Sequence, residues 1–290
     1  MIVIGANVSS AGGVLAALPR AQTLGVEAIQ FFVSSPRSWQ RRVIPREVAD
    51  EFRTGLEAGG FQLWIHGSYL MNFATANPVA LAQAEQALAA DLTDCAALGG
   101  KGVIFHLGSF RSAQAEAGTN HDRSSDQVIE QIVQTLTKVA ETAPPEALIV
   151  VENSAGMGGS IGSTVEELGE IVRQLPEKRV KICLDTQHLF AAGYPVHKPA
   201  GLDAMIDDFD REIGRARLVV LHMNDSKIPL SGGVDRHENI GAGLIGETGV
   251  RIITHHPALQ DLPFLLEVPG VDHTGPDKDN VDRLRHIALS

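Results

Sequence analysis

The chain has 290 residues, room for one large α/β barrel or two ordinary domains, and its 44% hydrophobic content supplies an ample core. No apolar run approaches the ~20 residues of a membrane span, and the opening MIVIGANVSSAGG has neither a basic region nor a long apolar one, so neither a secretory signal nor a membrane partner is expected. A formal charge of −11 argues against a broadly basic nucleic-acid surface, and the only two cysteines, Cys95 and Cys183, read as reduced core thiols of a cytoplasmic protein.

Along the chain, apolar β-rich runs alternate with helical patterns. Strands are predicted at 2–6, 28–33, 62–65, 102–105, 148–151, 180–184, 218–221 and 264–266. Helices are predicted at 14–24, 46–58, 78–98, 124–141, 164–174, 202–214, 247–257 and 278–287. Start signals support several of them: Asn77 before Pro78 is an N-cap followed by proline at the first helical position, and Ser163-Thr164 precedes Glu166 and Glu167. Gly-Gly pairs at 59–60 and 99–100 follow two helices as C-caps do. Eight continuous apolar strands alternating with eight helices predict a (β/α)8 TIM barrel, one domain over 1–290, with its active site at the C-terminal ends of the strands. A doubly wound open sheet is the competing architecture, but its phosphate-binding glycine fingerprint is absent in its usual form, although Gly12-Gly13 lies near the first strand.

The residues just past the last six strands are His66, His106, Glu152, Asp185, His222 and Glu267. Any one of them has a bland explanation in a hydrogen bond or an ion pair. Six in succession, all on one barrel face, point to metal. His188 follows in LDTQH, and Asp235 and His237 lie in the long polar loop after the seventh strand, giving five histidines and four carboxylates without cysteine. Such an N/O set suits Zn2+, with Mn2+ or Fe2+ as substitutes, and nine ligands exceed the needs of a single ion.

Taken together, HGSYLMN at 66–72, FHLGS at 105–109, VENSAGMGGSIG at 151–162, LDTQHLFAAGY at 184–194, HMNDSK at 222–227, DRHENIGAGLIG at 235–246 and LEVPG at 266–270 make the chain closely resemble the endonuclease IV family of apurinic/apyrimidinic endonucleases, from about residue 5 to 270. The resemblance implies a TIM barrel with three zinc ions per chain. His66, His106 and Glu152 would hold the first, and Glu152, Asp185, His222 and Glu267 the second, with Glu152 bridging. His188, Asp235 and His237 would hold the third. It also implies hydrolysis of the phosphodiester 5′ to an abasic site in double-stranded DNA, leaving a 3′-hydroxyl, together with trimming of blocked 3′ ends. Glu152 and Glu267 would have a second, catalytic role in positioning or deprotonating the attacking water. Three divalent cations would offset six of the eleven formal negative charges where a phosphate must dock, which weakens the charge objection.

The same resemblance assigns DNA contacts to Arg37, Tyr69, Leu70, Asn72 and Lys227. Arg37 lies in the basic loop FFVSSPRSWQRR at 31–42, and inserting groups of this kind would prop open the space left by a flipped nucleotide. Glycine loops at 9–13 and 155–162 would let backbone N–H groups approach phosphates, short turns being the competing reading. Pro195 departs from the family pattern, and His121, His197, His255, His256, His273 and His286 match no ligand position, so they read as surface or capping residues. The rival enzyme is a sugar isomerase or epimerase on a xylose-isomerase-like barrel, which shares the set Glu152, Asp185, His222 and Glu267 but leaves the remaining ligands unexplained. A non-catalytic damage-binding protein would not need the full ligand set, and a DNA lyase would need a desolvated nucleophilic lysine, which the sequence does not offer. A monomer is expected, because the active face must receive a duplex.

Overall fold

The computed structural model describes residues 2–110 and 125–290. The expected helix start at Ser124 and the unassigned His121 lie outside them. In chain order the elements are β1 (Val3–Asn7), α1 (Ala17–Leu24), β2 (Ala28–Phe31), α2 (Arg46–Gly59), β3 (Gln62–His66), α3 (Pro78–Ala97), β4 (Gly102–His106) and α4 (Ser125–Thr142). They continue with β5 (Leu148–Glu152), α5 (Val165–Val172), β6 (Val180–Asp185), α6 (Thr186–Ala192), α7 (Pro199–Glu212) and β7 (Leu218–His222). A short hairpin of β8 (Asp225–Ser226) and β9 (His237–Glu238) precedes α8 (Gly246–His255), β10 (Pro263–Leu266) and α9 (Lys278–Leu289).

Eight parallel strands close in the order β1-β10-β7-β6-β5-β4-β3-β2, with β1 bonded to both β10 and β2. The (β/α)8 barrel is therefore the fold. Side chains alternate along each strand between the barrel interior and the helix layer. The outward set joins the helices in the larger apolar core, which includes Phe31, Ile65 and Phe105. The inward set forms a separate plug of Ala28, Trp64, Ile104, Val150, Cys183, Val220 and Leu265. Glycine at Gly5 makes room for this plug, since a Cβ there would lie 2.3 Å from Leu265 Cδ2 and 2.8 Å from Ala28 Cβ.

Two residues further along each strand, the inward position becomes Asn7, Gln30, His66, His106, Glu152, Asp185, His222 and Glu267. One polar side chain from every strand thus caps the apolar plug at the C-terminal mouth. Five of the six residues expected just past the strands are instead their last residues, because the ladder runs on to include them: His106 is in register with Glu152, and Asp185 with His222. Only Glu267 follows its strand.

The helix signals act as anticipated where they can be tested. Asn77 accepts hydrogen bonds from Val79 N and Ala80 N at the head of α3. Thr164 accepts one from Glu167 N, while the Glu167 carboxylate reaches back to Gly162 N and Ser163 N. The short helix α6 and the β8–β9 hairpin were not anticipated. The hairpin is held by Asp225, a fully buried carboxylate that accepts from Ser226 N, Gly243 N, Ile245 N and Gly246 N at 2.7–3.2 Å. Since β8 pairs with β9, which carries His237, the loop beyond the hairpin and one candidate ligand share this anchor. Asp225→Ala should cost about 3 kcal/mol, the scale for leaving buried donors without a charged acceptor, measured by urea unfolding with zinc in excess.

Candidate metal centre

Seven of the nine expected ligands come from or directly follow barrel strands or β9, which fixes their backbones before their side chains meet. Among the described residues, three groups have ligand atoms within 4.8 Å of one another: His66, His106 and Glu152; Glu152, Asp185, His222 and Glu267; and Asp185, His188 and His237. Glu152 belongs to two groups, as a bridging residue must. Asp185 is likewise shared, which was not expected. Asp235 sits at the solvent side of the third group, its Oδ1 lying 3.5 Å from His188 Nε2 and 3.2 Å from His237 Nε2.

The histidine tautomers are set by what lies behind each ring. His66 Nδ1 donates to Gly67 O at 2.9 Å, His188 Nδ1 to Asn153 O at 3.0 Å and His237 Nδ1 to Glu267 O at 3.3 Å. Each thereby turns Nε2 toward the cluster. His222 is reversed: its Nε2 donates to Gln30 Oε1 at 2.8 Å, so Nδ1 faces Glu152 Oε1 at 2.8 Å and Glu267 Oε2 at 3.3 Å. On the other oxygen of Glu152, His66 Nε2 and His106 Nε2 each lie 3.3 Å away.

Buried amides complete the surroundings. Asn224 Nδ2 donates to Asp185 Oδ2 at 2.6 Å while its Oδ1 accepts from Glu267 N, and Asn153 Oδ1 accepts from Asp185 N at 2.6 Å. Gln30 Nε2 donates to Glu267 Oε1 at 2.6 Å. Sequence reasoning passed over Gln30, Asn153 and Asn224. Their signal was a polar residue inside or beside an otherwise buried strand.

Do these groups fit a cation? The Nε2 atoms of His188 and His237 are buried and make no hydrogen bond among the described residues. Such orphaned nitrogens, flanked by carboxylates, are a ligand set that a divalent metal satisfies once their protons leave. Burial alone would lower His188, but Asp185, Asp235 and Glu152 outweigh it and push the imidazole up to about 10. His237 is desolvated too, yet Asp185 and Asp235 bring it to about 9. Asp235 goes the other way: despite its desolvation, the adjacent rings of His188 and His237 hold it far below the usual carboxylate range.

The expected DNA-facing residues ring this centre. Tyr69 is 56% and Leu70 37% exposed. The backbone N–H of Tyr69 and the hydroxyl of Ser68 both donate to Pro36 O, at 3.1 and 2.9 Å, so the loop after β3 is tied to the loop that carries Arg37. Arg37 itself is exposed and forms no ion pair among the described residues. Arg41 from the same loop is clamped to α3, bonding Asp91 at 2.7 Å and Asp94 at 2.5 Å. Asn72 uses its amide on the neighbouring loop, donating to Ser109 O at 2.9 Å and accepting from Ser109 N at 3.2 Å. Lys227 is exposed, 3.7 Å from Glu238. Tyr69, Asn72, Met157, His106, His188 and Asp235 line one cavity of about 300 Å3 that opens at the centre. Two of the stray histidines have partners of their own. His256 pairs with Asp203 at 3.1 Å, and His197 is half-buried with its ring edge-on to Phe190, so His197 is a packing residue rather than a surface one.

A family model described as xylose isomerase-like TIM barrel matches residues 18–287. A probable endonuclease 4 of Methanoculleus marisnigri is 37% identical over 99% of both chains. Another, of Halorhodospira halophila, is 39% identical over 98% of this chain and 93% of its own. The chain belongs to the endonuclease IV family. The crystal structure of endonuclease IV from Thermus thermophilus matches it with a TM-score of 0.83 and 32% identity, covering 99% of each chain.

The raised histidines have a measurable consequence. In metal-free protein, His188 and His237 are charged at pH 7, and any metal must displace their protons. Zinc binding at pH 7–8 should therefore release at least two protons, His222 being raised as well despite its burial, seen calorimetrically in buffers of different ionisation enthalpy. The sign for stability follows from linkage. Histidines raised on folding stabilise the metal-free fold fully below about pH 6.5, and that contribution is lost as pH rises through about 9 and then 10. Metal-free protein should melt progressively lower across that window, and zinc-loaded protein should not.

Proposed function

We propose that the protein is a metal-dependent DNA repair endonuclease that hydrolyses the phosphodiester 5′ to an abasic site, leaves a 3′-hydroxyl and trims blocked 3′ ends. The observation that carries this reading is the overlap of the ligand groups through Glu152, in a chain of the endonuclease IV family. A sugar isomerase would use Glu152, Asp185, His222 and Glu267, but would have no use for His66, His106, His188 and His237 converging on the same carboxylates.

Three zinc ions are assigned to the centre. His66, His106 and Glu152 would hold one, and Glu152, Asp185, His222 and Glu267 a second. His188, Asp235 and His237 would hold a third, with Asp185 beside it; Mn2+ or Fe2+ could substitute. Bound zinc supplies Lewis acidity that makes water acidic near neutral pH and offsets charge gathering on the phosphoryl and leaving oxygens. Glu152 and Glu267 have a positioning role toward the attacking water. Both oxygens of Glu152 face cluster histidines, and one oxygen of Glu267 is already occupied by Gln30, so neither is a free general base.

On the DNA side, Arg37, Tyr69 and Leu70 would enter the base stack of a double-stranded substrate, the chain acting as a monomer. An abasic nucleotide has already lost pairing and stacking, so extruding it costs less than extruding an intact one. The lesion is then recognised by deformability and by the size of the cavity below Tyr69 rather than by base sequence. Lys227 and the glycine loops at 9–13 and 155–162 would contact flanking phosphates. Asn72 would act on DNA through the loop it braces.

The test is incision of a duplex carrying one tetrahydrofuran abasic analogue. Cutting on its 5′ side should persist in Mg2+-free buffer and be lost after strong chelation and in His106→Ala. Failure of zinc-loaded wild type to cut would reject the proposal in favour of a sugar isomerase, checked on a ketose panel. Tyr69→Ala should weaken binding to the abasic duplex about tenfold, the low end of the cost of losing one aromatic stacking contact, while leaving zinc content unchanged. Equal affinity of wild type and Tyr69→Ala would remove the insertion role.

A further inference from the structure

The eight inward residues that cap the barrel plug comprise six metal-binding side chains and two amides, Asn7 and Gln30. Gln30 lies in β2, whose four residues are all buried, and it is itself fully inaccessible. A polar side chain in such a strand must find partners or cost stability. Gln30 finds two, and both belong to the centre.

We propose that Gln30 is a positioning residue that selects the metal-facing nitrogen of His222 and the metal-facing oxygen of Glu267. The inference rests on reading the site as a metal centre. Its logic runs from Glu267 to His222. Gln30 Nε2 is 2.6 Å from Glu267 Oε1, a distance at which an amide oxygen would be repelled by the carboxylate, so the amide nitrogen must point there. The amide oxygen is then left facing His222 Nε2 at 2.8 Å, which obliges that nitrogen to carry the proton. His222 Nδ1 is consequently the nitrogen that faces Glu152, Asp185 and Glu267, at 2.8, 3.9 and 3.3 Å, and the one left to bind an ion. The backbone carbonyls that orient His66, His188 and His237 by Nδ1 have no counterpart here; a side chain from another strand does the work, through the opposite nitrogen.

The same contact leaves Glu267 one oxygen, not two, for an ion. A neutral amide suits the task because it donates to one partner and accepts from the other without adding a fourth negative charge to the group. Asn would be one methylene too short to span both partners, and Met would match the length while offering neither bond.

The experiment is zinc binding to wild type, Gln30→Met and Gln30→Asn by equilibrium dialysis in buffered free zinc, with cobalt(II) loading and the melting temperature of metal-free protein measured in parallel. Both variants should bind one zinc about 10- to 100-fold more weakly, retain the affinity of the other two and show an altered visible spectrum for one cobalt site. Metal-free melting should stay within a few degrees of wild type. Unchanged zinc affinity and cobalt spectrum in a folded variant would overturn the assignment to Gln30 while leaving the endonuclease reading intact. Weakening of all ions in step with a lowered metal-free melting temperature would also overturn it, by making Gln30 a general structural residue. A wild type that binds no zinc would overturn the metal centre and this inference with it.

Discussion

The arrangement depends on a single carboxylate. Glu152 ends β5 with no solvent exposure, and its two oxygens lie within 3.4 Å of ring nitrogens of His66, His106, His188 and His222. An isolated carboxylate at such a place would take up a proton rather than stay charged. The surrounding imidazoles reverse that preference and hold Glu152 well below the ordinary carboxylate range against its burial. A charge so deeply placed must be balanced by protons on the histidines or by cations between them, and the geometry accepts either. The apolar plug beneath excludes water from below, so the exchange of protons for metal can occur only at the mouth.

How much of this could be read in the chain follows from the physics of each element. Eight buried strands announce themselves by continuous apolar runs, and a histidine or carboxylate ending such a run is conspicuous. Five of the ligand-bearing strands were ended one residue short because a polar residue looks like the start of a loop, whereas the parallel ladder continues through it; the second was carried two residues too far. Asp225–Ser226 and His237–Glu238 are too short to carry any period. Helix α6 spans only seven residues, and its caps, Asp185 before it and Gly193 after it, were the available signals. Gln30, Asn153, Asn224 and Asp225 escaped for another reason. The three amides are not characteristic metal ligands or nucleophiles, and Asp225, a carboxylate of the ligand type, spends its oxygens on backbone N–H groups; the importance of all four lies in what they orient.

The elements that were hardest to read are also those that bring the third ligand group together. Four strand-end ligands, Glu152, Asp185, His222 and Glu267, form one compact group by themselves. His188 comes from α6 and His237 from β9, so the third group needs two additions built outside the strand framework. Asp225 and the loop it gathers are therefore as much part of the centre as the residues facing it.

The carbonyl of Pro36 accepts from both Ser68 and Tyr69, and the rings of Phe32, His66 and Tyr69 lie against one another with centroids 4.9–5.9 Å apart. The arginine-bearing loop, the tyrosine-bearing loop and the first histidine of the centre are thus linked in one continuous lever. On the proposed reading, probing of the duplex and hydrolytic geometry would be tuned together, because both loops are in contact with the residues around His66. A substitution that moves one loop would then be felt by the other, and lesion preference would change together with the chemistry.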